Sequence, residues 1–409
     1  MHEPIRRDSS SRRQGAVTVD TASTISVVHS FPTWLPQTQT WLYTQVAEQQ
    51  RLGVSAFVVC EETENLDQFS VANIRALSNA GVLSRLWDKG LRKLGIRQHL
   101  EFLVKVCREA SADVVHSHFG NVAWSNLGGV RRVGARHVVT FYGLDVSLLP
   151  TRFPVWRSRY RELFAEADLF LCEGPHMAGR VVDLGCPQGK VKVQHLGVDL
   201  EAIPCRPRRL DAGRDLRVLI AASFREKKGI PVAVDALGML SGDVALQLTI
   251  IGDAGADDES QAEKRRILEA LDRNGLTDRT RLLGYRTHSE MLREAYAHDV
   301  FLQPSVTARN GDTEGGAPVS IIEMLASGMP VISTTHCDIP EVVGPVLQKF
   351  LAPERDAAAL ADCLRNVLDH SSDWPTLARD ARRRLEQEYD SRRQAERLVL
   401  YYCQLAGKR

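Results

Sequence analysis

The chain has 409 residues, of which 44% are hydrophobic and 25% are charged, and this is enough apolar material for two hydrophobic cores. Its formal net charge of +1 argues against nucleic acid as the main partner, because nucleic-acid-binding proteins usually carry a marked basic excess. No apolar run approaches the ~18 residues that a membrane-spanning helix needs. These totals predict a globular protein of two domains.

The cysteines and the first residues bear on location. Eight cysteines are scattered without a C-x-x-C pair or a regular framework, which is typical of reduced thiols in a cytosolic protein. Residues 1–23 combine four arginines with a serine run and lack the apolar core of a signal peptide. We therefore expect a disordered tail at 1–23 and a cytoplasmic protein. Any membrane contact would be peripheral, at the inner face of the membrane.

From residue 24 onward, short β-branched runs alternate with longer helical stretches, and this alternation predicts parallel βαβ units. The first series of predicted strands comprises 25–29, 56–60, 114–116, 137–140, 169–172 and 191–194. A polar, proline-containing stretch then predicts a linker at 205–214. The second series comprises 218–222, 246–251, 281–283, 300–303 and 331–333.

This organisation predicts two doubly wound domains, 24–204 and 215–388, that face each other across a cleft. Open parallel sheets bind ligands outside the carboxyl ends of their strands, so the loops after the strands should carry the chemistry. The last stretch, 389–409, is helical and is expected to cross back to the first domain.

Two features of the first domain allow two interpretations each. His118 follows a predicted strand, where it could touch the cleft or simply pack. Residues 84–108 carry seven Lys or Arg against two acids, interleaved with apolar residues. This pattern fits docking on an anionic bilayer, and it equally fits a solvated helix that covers the sheet.

The stretch 312–334 of the second domain is the most informative. Gly315, Gly316 and Ala317 form a small-residue turn that opens a helix, where a diphosphate could approach free backbone N–H groups. Glu314 precedes this helix and Glu323 lies on it, so their carboxylates could accept hydrogen bonds from sugar and ribose hydroxyls. The alternative is an ordinary capped helix with solvated acids.

Three further strand-end turns precede that stretch. The first, ASFREKKG at 222–229, places Lys228 where it could neutralise a diphosphate leaving group, although a basic surface turn is the alternative. Gly252 opens a glycine turn after the next strand, and Tyr285 follows a third strand, where it could flank a nucleotide base. A complete dinucleotide fingerprint is absent, which argues against a nicotinamide dehydrogenase.

Together these motifs resemble the donor site of the retaining GT-B glycosyltransferases, the group 1 or family 4 type that includes many bacterial polysaccharide and lipid glycosyltransferases. Lys228 matches the phosphate-binding lysine and Glu323 the ribose-binding glutamate. Ser223 stands where the family has an arginine, and Arg225 is the local guanidinium that could replace it. Eight residues separate Glu314 from Glu323, where the family usually has seven.

The stretch TFYGLDV at 140–146 resembles a family segment that contacts the donor sugar. Tyr142 stands where the family has a histidine, and Asp145 matches the family aspartate, with capping of the next helix as its alternative role. With His118 and Glu314, these residues form the catalytic set that the resemblance implies. Residues 31–45 resemble the loop that closes over the donor phosphate, with a helix that begins near 37–39.

The resemblance implies a GT-B fold and a retaining, metal-independent hexosyl transfer from a nucleotide-sugar, UDP being the most frequent nucleotide. It implies a carbohydrate or lipid-linked acceptor, and neither a metal ion nor another cofactor. Two alternatives stay open. Ser223 and Tyr142 would also suit a catalytically silent sugar-nucleotide binding module, and a glycan phosphorylase would share the architecture.

Overall fold

The structure is a computed structural model that describes residues 24–36, 39–210 and 213–408. The expected tail at 1–23 and the predicted helix start at 37–38 lie outside the described residues. In the first domain the strands are β1 (Ser26–Ser30), β2 (Thr33–Trp34), β3 (Ser55–Cys60), β4 (Glu62–Thr63), β5 (Ile74–Ala76), β6 (Val114–His118), β7 (Arg136–Thr140), β8 (Leu169–Cys172) and β9 (Val191–Val193). Its helices are α1 (Thr40–Arg51), α2 (Val82–Lys93), α3 (Glu101–Glu109), α4 (Gly120–Val133), α5 (Gly143–Val146), α6 (Leu148–Arg152), α7 (Val155–Glu166) and α8 (Pro175–Asp183).

The second domain repeats the alternation. Its strands are β10 (Leu216–Ala221), β11 (Leu246–Ile251), β12 (Thr280–Gly284), β13 (Val300–Gln303), β14 (Val331–Thr334) and β15 (Leu351–Ala352). The helices that follow are α9 (Ile230–Leu240), α10 (Asp258–Arg273), α11 (His288–Ala297), α12 (Val319–Ala326), α13 (Ile339–Val343), α14 (Ala357–Asp369), α15 (Trp374–Glu388) and α16 (Ser391–Ala406).

Each domain is built on one parallel sheet. The first sheet has the strand order β5-β3-β1-β6-β7-β8-β9 and the second has the order β12-β11-β10-β13-β14-β15. Their central strands are almost entirely buried, polar residues such as His29 and His116 included, because helices cover both faces of a parallel sheet. In β10, for example, five of the six residues are buried. The prediction of two Rossmann-like doubly wound domains is confirmed.

Side-chain caps fix where several of the helices begin. Asp257 accepts a hydrogen bond from the backbone N–H of Ser260 at the start of α10, and Asp390 does the same for Arg393 at the start of α16. Thr287 and Glu290 form a capping box at the start of α11. The caps of α10 and α11 set the ends of the loops that follow β11 and β12.

The last helix, α16, packs against the first domain. Leu398 and Tyr402 are buried in the same hydrophobic cluster as Val27 and Val114 of the first sheet. The Tyr402 hydroxyl also bonds to Nδ1 of His116 at 2.6 Å. The chain therefore returns to its first domain after it completes the second.

The basic segment 84–108 contains two helices that behave differently. Helix α3 buries Leu103, Val104, Val106 and Cys107, as expected of a helix that covers the sheet. Helix α2 buries only Asp88 and turns its apolar side chains outward. The interpretation as a helix that covers the sheet is therefore right for α3 and wrong for α2. Within the part of the chain that the structure describes, no helix is both long and apolar enough to cross a bilayer.

The two domains touch through close backbone and side-chain contacts. A Cβ atom added to Gly315 would lie 2.3 Å from the Cα atom of Gly143 in the first domain. Asp338 of the second domain accepts hydrogen bonds from the backbone N–H groups of His176 and Met177 at 2.7 and 3.2 Å, at the start of α8. These contacts close one side of the cleft between the sheets.

Candidate active site

A cavity of about 770 Å³ lies between the two domains, at the carboxyl ends of strands from both sheets. Its volume is in the usual range for small-molecule sites. The loops after β10 and β11 supply one side of the cavity, and those after β7 and β8 supply the other. The predicted residues that line it are Tyr142, Ser223, Arg225, Lys228, Gly252, Tyr285, Glu314, Ala317 and Glu323.

The turn after β10 provides positive charge. Lys228 ends a single 3-10 turn, and Gly229 follows with φ 65°, where a Cβ atom would lie 1.9 Å from the carbonyl oxygen of Pro304. The Lys228 Nζ atom lies 2.8 Å from Oε2 of Glu314. Glu314 also accepts a hydrogen bond from the Ser305 hydroxyl at 2.9 Å, so both of its oxygens have partners.

Charge balance keeps Glu314 ionised. Burial would raise the pKa of this carboxyl, but the positive charges of Lys228 and Lys227 lower its pKa below the ordinary value. Lys227 is itself bonded to the carbonyl oxygen of Thr313 at 3.0 Å and paired with Asp312 at 3.2 Å. Two ammonium groups and two carboxylates therefore form one network at the cavity wall.

Arg225 lies at the cavity lining but has a partner of its own. Its guanidinium makes two hydrogen bonds of 3.1 and 3.0 Å to Asp257. Both side chains are more than 40% exposed, so the ion pair contributes little to stability and Arg225 can exchange Asp257 for another partner. Ser223, which stands at the family's arginine position, lines the same region.

The opposite end of this wall contains a histidine–carboxylate pair that the sequence analysis did not single out. Glu323 projects from α12, and its Oε1 lies 2.7 Å from Nε2 of His288 in the first turn of α11. Burial lowers the pKa of His288, but the bond to Glu323 outweighs this and leaves the pKa above its ordinary value. His288 lies three residues after Tyr285, and this strand-end position was a signal for it.

Tyr142 contributes from the first domain through a chain of buried hydrogen bonds. Its hydroxyl lies 2.8 Å from Nδ1 of His118, whose Nε2 lies 3.0 Å from Nδ1 of His29. Nε2 of His29 in turn lies 3.0 Å from Oε1 of Gln49. If Gln49 accepts through Oε1, each histidine donates from Nε2 and accepts at Nδ1, so Tyr142 must donate its proton to His118. We call these four residues the tyrosine relay.

The relay is uncharged. Burial lowers the pKa of His29 to about 4 and the pKa of His118 well below its usual range. It raises the pKa of Tyr142 well above its usual range. Because the hydroxyl proton is directed at His118, the Tyr142 oxygen can take part in further hydrogen bonds only as an acceptor.

His29, His116 and His118 each offer a nitrogen within 4.8 Å of the others, a spacing that could also hold a metal ion. The nitrogens already have protein partners, however. His116 bonds to the hydroxyls of Tyr402 and Thr140 at 2.6 and 2.7 Å. We therefore interpret the cluster as a neutral hydrogen-bond network.

Four predicted residues do not line the cavity. His118 is fully buried and reaches it only through Tyr142. Asp145 is also buried, because it accepts hydrogen bonds from the backbone N–H groups of Gly120 and Tyr142 and so holds two loops in place. The expectation that His118 touches the cleft is wrong, and the capping role of Asp145 is the one observed.

Gly315 and Gly316 are small for a reason other than the predicted approach of a ligand. A Cβ atom on Gly315 would meet Gly143, and one on Gly316 would lie 2.1 Å from Oε2 of Glu173. Both glycines therefore allow the first domain to approach. Ala317 is the member of this turn that lines the cavity.

Glu173 is a second residue that the sequence analysis missed. It directly follows β8, lines the cavity and faces Gly316. Burial, and then the nearby charge of Asp338, raise the pKa of Glu173 well above its usual range. A protonated carboxyl at this place can donate a hydrogen bond to a ligand. Its position immediately after a predicted strand was the available signal.

Comparison with known proteins agrees with this geometry. Residues 38–202 match the family described as Glycosyltransferase Family 4, and residues 215–370 match Glycosyl transferases group 1. WcaL of Escherichia coli K12, whose name links it to colanic acid biosynthesis, is 32% identical over 309 residues, 73% of each chain. The amylovoran biosynthesis glycosyltransferase AmsK of Erwinia amylovora is 32% identical over 284 residues, 68% of this chain and 67% of AmsK.

Solved structures share the fold. Anabaena Alr3699/HepE in complex with UDP and glucose gives a TM-score of 0.73 at 18% identity, over 92% of this chain and 99% of that one. Sucrose-phosphate synthase from Thermosynechococcus elongatus gives 0.74 at 19% identity, over 93% and 99%. The two sheets and the cavity between them thus define a glycosyltransferase of GT-B architecture. Within that class, the chain belongs to the group 1, family 4 glycosyltransferases.

Proposed function

We propose that the protein is a retaining, metal-independent glycosyltransferase that moves a sugar from a UDP-sugar to a carbohydrate or lipid-linked acceptor in polysaccharide biosynthesis. One observation carries the proposal. Lys228 and Glu323 lie in one wall of the interdomain cavity, and Tyr142 lies in the wall from the other domain. A nucleotide-sugar has a diphosphate, a ribose and a hydroxylated ring, which are the three groups that these side chains suit.

Each part of the donor has a partner of suitable chemistry in the cavity. Lys228 and Lys227 offset the charge that develops on the diphosphate as the glycosidic bond breaks. The second oxygen of Glu323 is free of the bond to His288 and can accept from a ribose hydroxyl. Tyr142 accepts from a hydroxyl of the transferred sugar.

The biosynthetic role and the nucleotide are supported by the similar proteins. WcaL and AmsK are named for colanic acid and amylovoran biosynthesis, and HepE was solved with UDP and glucose. These names motivate a UDP-sugar and a saccharide acceptor for this chain.

Of the two routes that give retention, we favour a single-step transfer on one face of the sugar over a two-step transfer through a covalent intermediate. In a same-face transfer, the bond from the sugar carbon to the diphosphate oxygen breaks while a bond to the acceptor oxygen forms. The acceptor proton passes to the leaving diphosphate. Glu314 is a poor nucleophile for the alternative two-step route, because Lys228 and Ser305 occupy both of its oxygens. Cationic side chains at the diphosphate can serve in place of a metal ion.

Calorimetric titration with UDP, GDP and ADP tests the donor site. We expect selective UDP binding that is lost in Lys228→Ala and Glu323→Ala and kept in Lys349→Ala, which changes an exposed lysine outside the cavity lining. If wild type binds none of the three nucleotides, the proposal is wrong.

Turnover separates the enzyme from a silent binding module. We expect product from a UDP-sugar and an oligosaccharide acceptor, with the donor's anomeric configuration retained in the NMR spectrum and activity unchanged after EDTA treatment. Nucleotide binding without turnover would favour the binding module. Activity that requires free phosphate would favour a phosphorylase. A metal ion retained by the histidine cluster, with activity lost on its removal, would overturn metal independence.

A further inference from the structure

Helix α2 and the turn after it expose an apolar surface. Val82, Leu83, Leu86, Trp87, Leu94 and Ile96 are each 66% to 84% exposed, and we call this set the α2 face. Single exposed apolar residues are ordinary, but six within fifteen positions form a contiguous patch that soluble surfaces rarely present without a partner.

Polar anchors hold α2 in this orientation. Asp88, on the inner side of the helix, accepts hydrogen bonds from the backbone N–H groups of Glu101 and Phe102 at 2.8 and 3.0 Å, and it pairs with Arg97. Arg92 pairs with Glu61 at 2.6 Å. These bonds attach α2 by its polar side, so the apolar side faces outward as part of the fold.

The charged residues around the α2 face indicate a negatively charged partner. Residues 82–97 contain five Lys or Arg and one acid, the buried Asp88, although the whole chain has a net charge of only +1. Lys89 and Lys93 lie three and seven positions after Leu86, which places them beside the apolar stripe. Lys89 is 46% exposed, and its contact with Glu62 is long, at 3.4 Å.

We propose that the α2 face docks on an anionic phospholipid bilayer, with Trp87 and Leu86 in the interface and Lys89 and Lys93 against the lipid headgroups. An outward apolar stripe with tryptophan and flanking lysines matches the chemistry of such a surface. A symmetric contact between two copies of this chain would bring like charges together, so it is the less favourable occupant. The proposal goes beyond sugar transfer and does not depend on the donor.

Vesicle co-sedimentation of the full chain tests the proposal. We expect binding to phosphatidylcholine vesicles that contain phosphatidylglycerol and little binding to phosphatidylcholine alone. Each lysine near an anionic surface contributes about fivefold to the partition coefficient, so Lys89→Ser with Lys93→Ser should lower it roughly 25-fold. Leu86→Ser with Trp87→Ser should abolish binding. The matched control, Leu268→Ser with Leu400→Ser, changes two exposed leucines outside the α2 face and should bind like wild type.

Two results would overturn the inference. The first is a negative result in the vesicle assay: either the wild-type protein does not bind anionic vesicles, or the control variant loses as much binding as the α2 variants. The other is a dimer in analytical ultracentrifugation that the Leu86 and Trp87 changes dissociate, because the face would then be a subunit interface. UDP titration of the same variants should match wild type, so failure of membrane docking and failure of the donor site remain distinguishable.

Discussion

The two walls of the cavity differ in their chemistry. The wall from the second domain presents charged pairs, Lys228 with Glu314 and His288 with Glu323. The wall from the first domain presents Tyr142 at the end of an uncharged relay through His118 and His29. A diphosphate requires positive charge, whereas a neutral sugar requires hydrogen bonds with fixed directions. In the proposed complex, the two domains would therefore divide the recognition of one ligand, the second domain by charge and the first by the direction of hydrogen bonds.

The largest expected effect is on the charged wall. Lys228→Ala should lower kcat/KM by about 10³-fold, because it removes a cation that acts on the leaving diphosphate. Steady-state kinetics with a UDP-sugar would measure this, with Lys349→Ala as the control. A loss of less than about tenfold would mean that Lys227 or Arg225 neutralises the diphosphate. The role that we assign to Lys228 in the charged wall would then be wrong.

The neutral wall should respond to acid. Burial lowers the pKa of His29 in the folded protein to about 4, below the ordinary histidine value of 6.5, so its stability contribution is complete above pH 6.5 and is lost as the pH falls toward 4. Between pH 7 and pH 5 this histidine alone should cost about 2 kcal/mol of unfolding free energy. His116 and His118 have lowered pKa values and act in the same direction.

Urea denaturation at pH 7, 6 and 5 would measure this acid loss. His29→Gln should remove about 2 kcal/mol of the stability change between pH 7 and pH 5, roughly 1 kcal/mol per pH unit. His370→Gln, which changes an exposed histidine in the second domain, should leave the slope unchanged. A stability that is flat from pH 7 to pH 5 would mean that the relay is not held neutral.

The sequence predicted the charged wall better than the neutral one. Lys228 and Tyr285 lie in loops that follow strands, and Glu323 lies on the helix that the small-residue turn opens. All three stand in local motifs that the sequence shows directly. For His118 and Asp145, position after a strand did not tell which way the side chain points. The strand β6 directs His118 into the core, and the backbone N–H groups around Asp145 take up its carboxylate.

Other features could not be predicted from the sequence because they depend on contacts between distant residues or on elements that are very short. The small size of Gly315 and Gly316 is required by Gly143 and Glu173, which lie more than 140 positions earlier in the chain. The strands β5 and β15 have three and two residues, too few for a recognisable alternation. The outward face of α2 depends on how Asp88 caps α3, because the same apolar periodicity is compatible with either orientation.

A smaller effect should follow from breaking the relay at its cavity end. Tyr142→Phe keeps the ring and removes the acceptor oxygen, so we expect kcat/KM to fall about tenfold, the value of one neutral hydrogen bond. UDP affinity should stay unchanged because the proposal seats the nucleotide against the other wall. Tyr401→Phe, in α16 and outside the cavity lining, is the control. Equal losses in UDP affinity and in turnover would contradict the division between the walls.

The smallest effect concerns His288 and has the opposite dependence on pH. Its pKa in the folded protein is above the ordinary value, so the charged pair with Glu323 is complete below pH 6.5 and is lost as the pH rises through the folded pKa. UDP affinity should therefore decline about threefold to fivefold toward alkaline pH, because neutral His288 can still donate a hydrogen bond to Glu323 but no longer attracts the carboxylate by charge. His288→Gln keeps a hydrogen-bond donor and should flatten this decline, whereas His370→Gln should not. Calorimetry of UDP binding from pH 6 to pH 9 measures both. If the wild-type and His288→Gln profiles coincide, His288 does not position Glu323, and the charged wall recognises the nucleotide through the carboxylate alone.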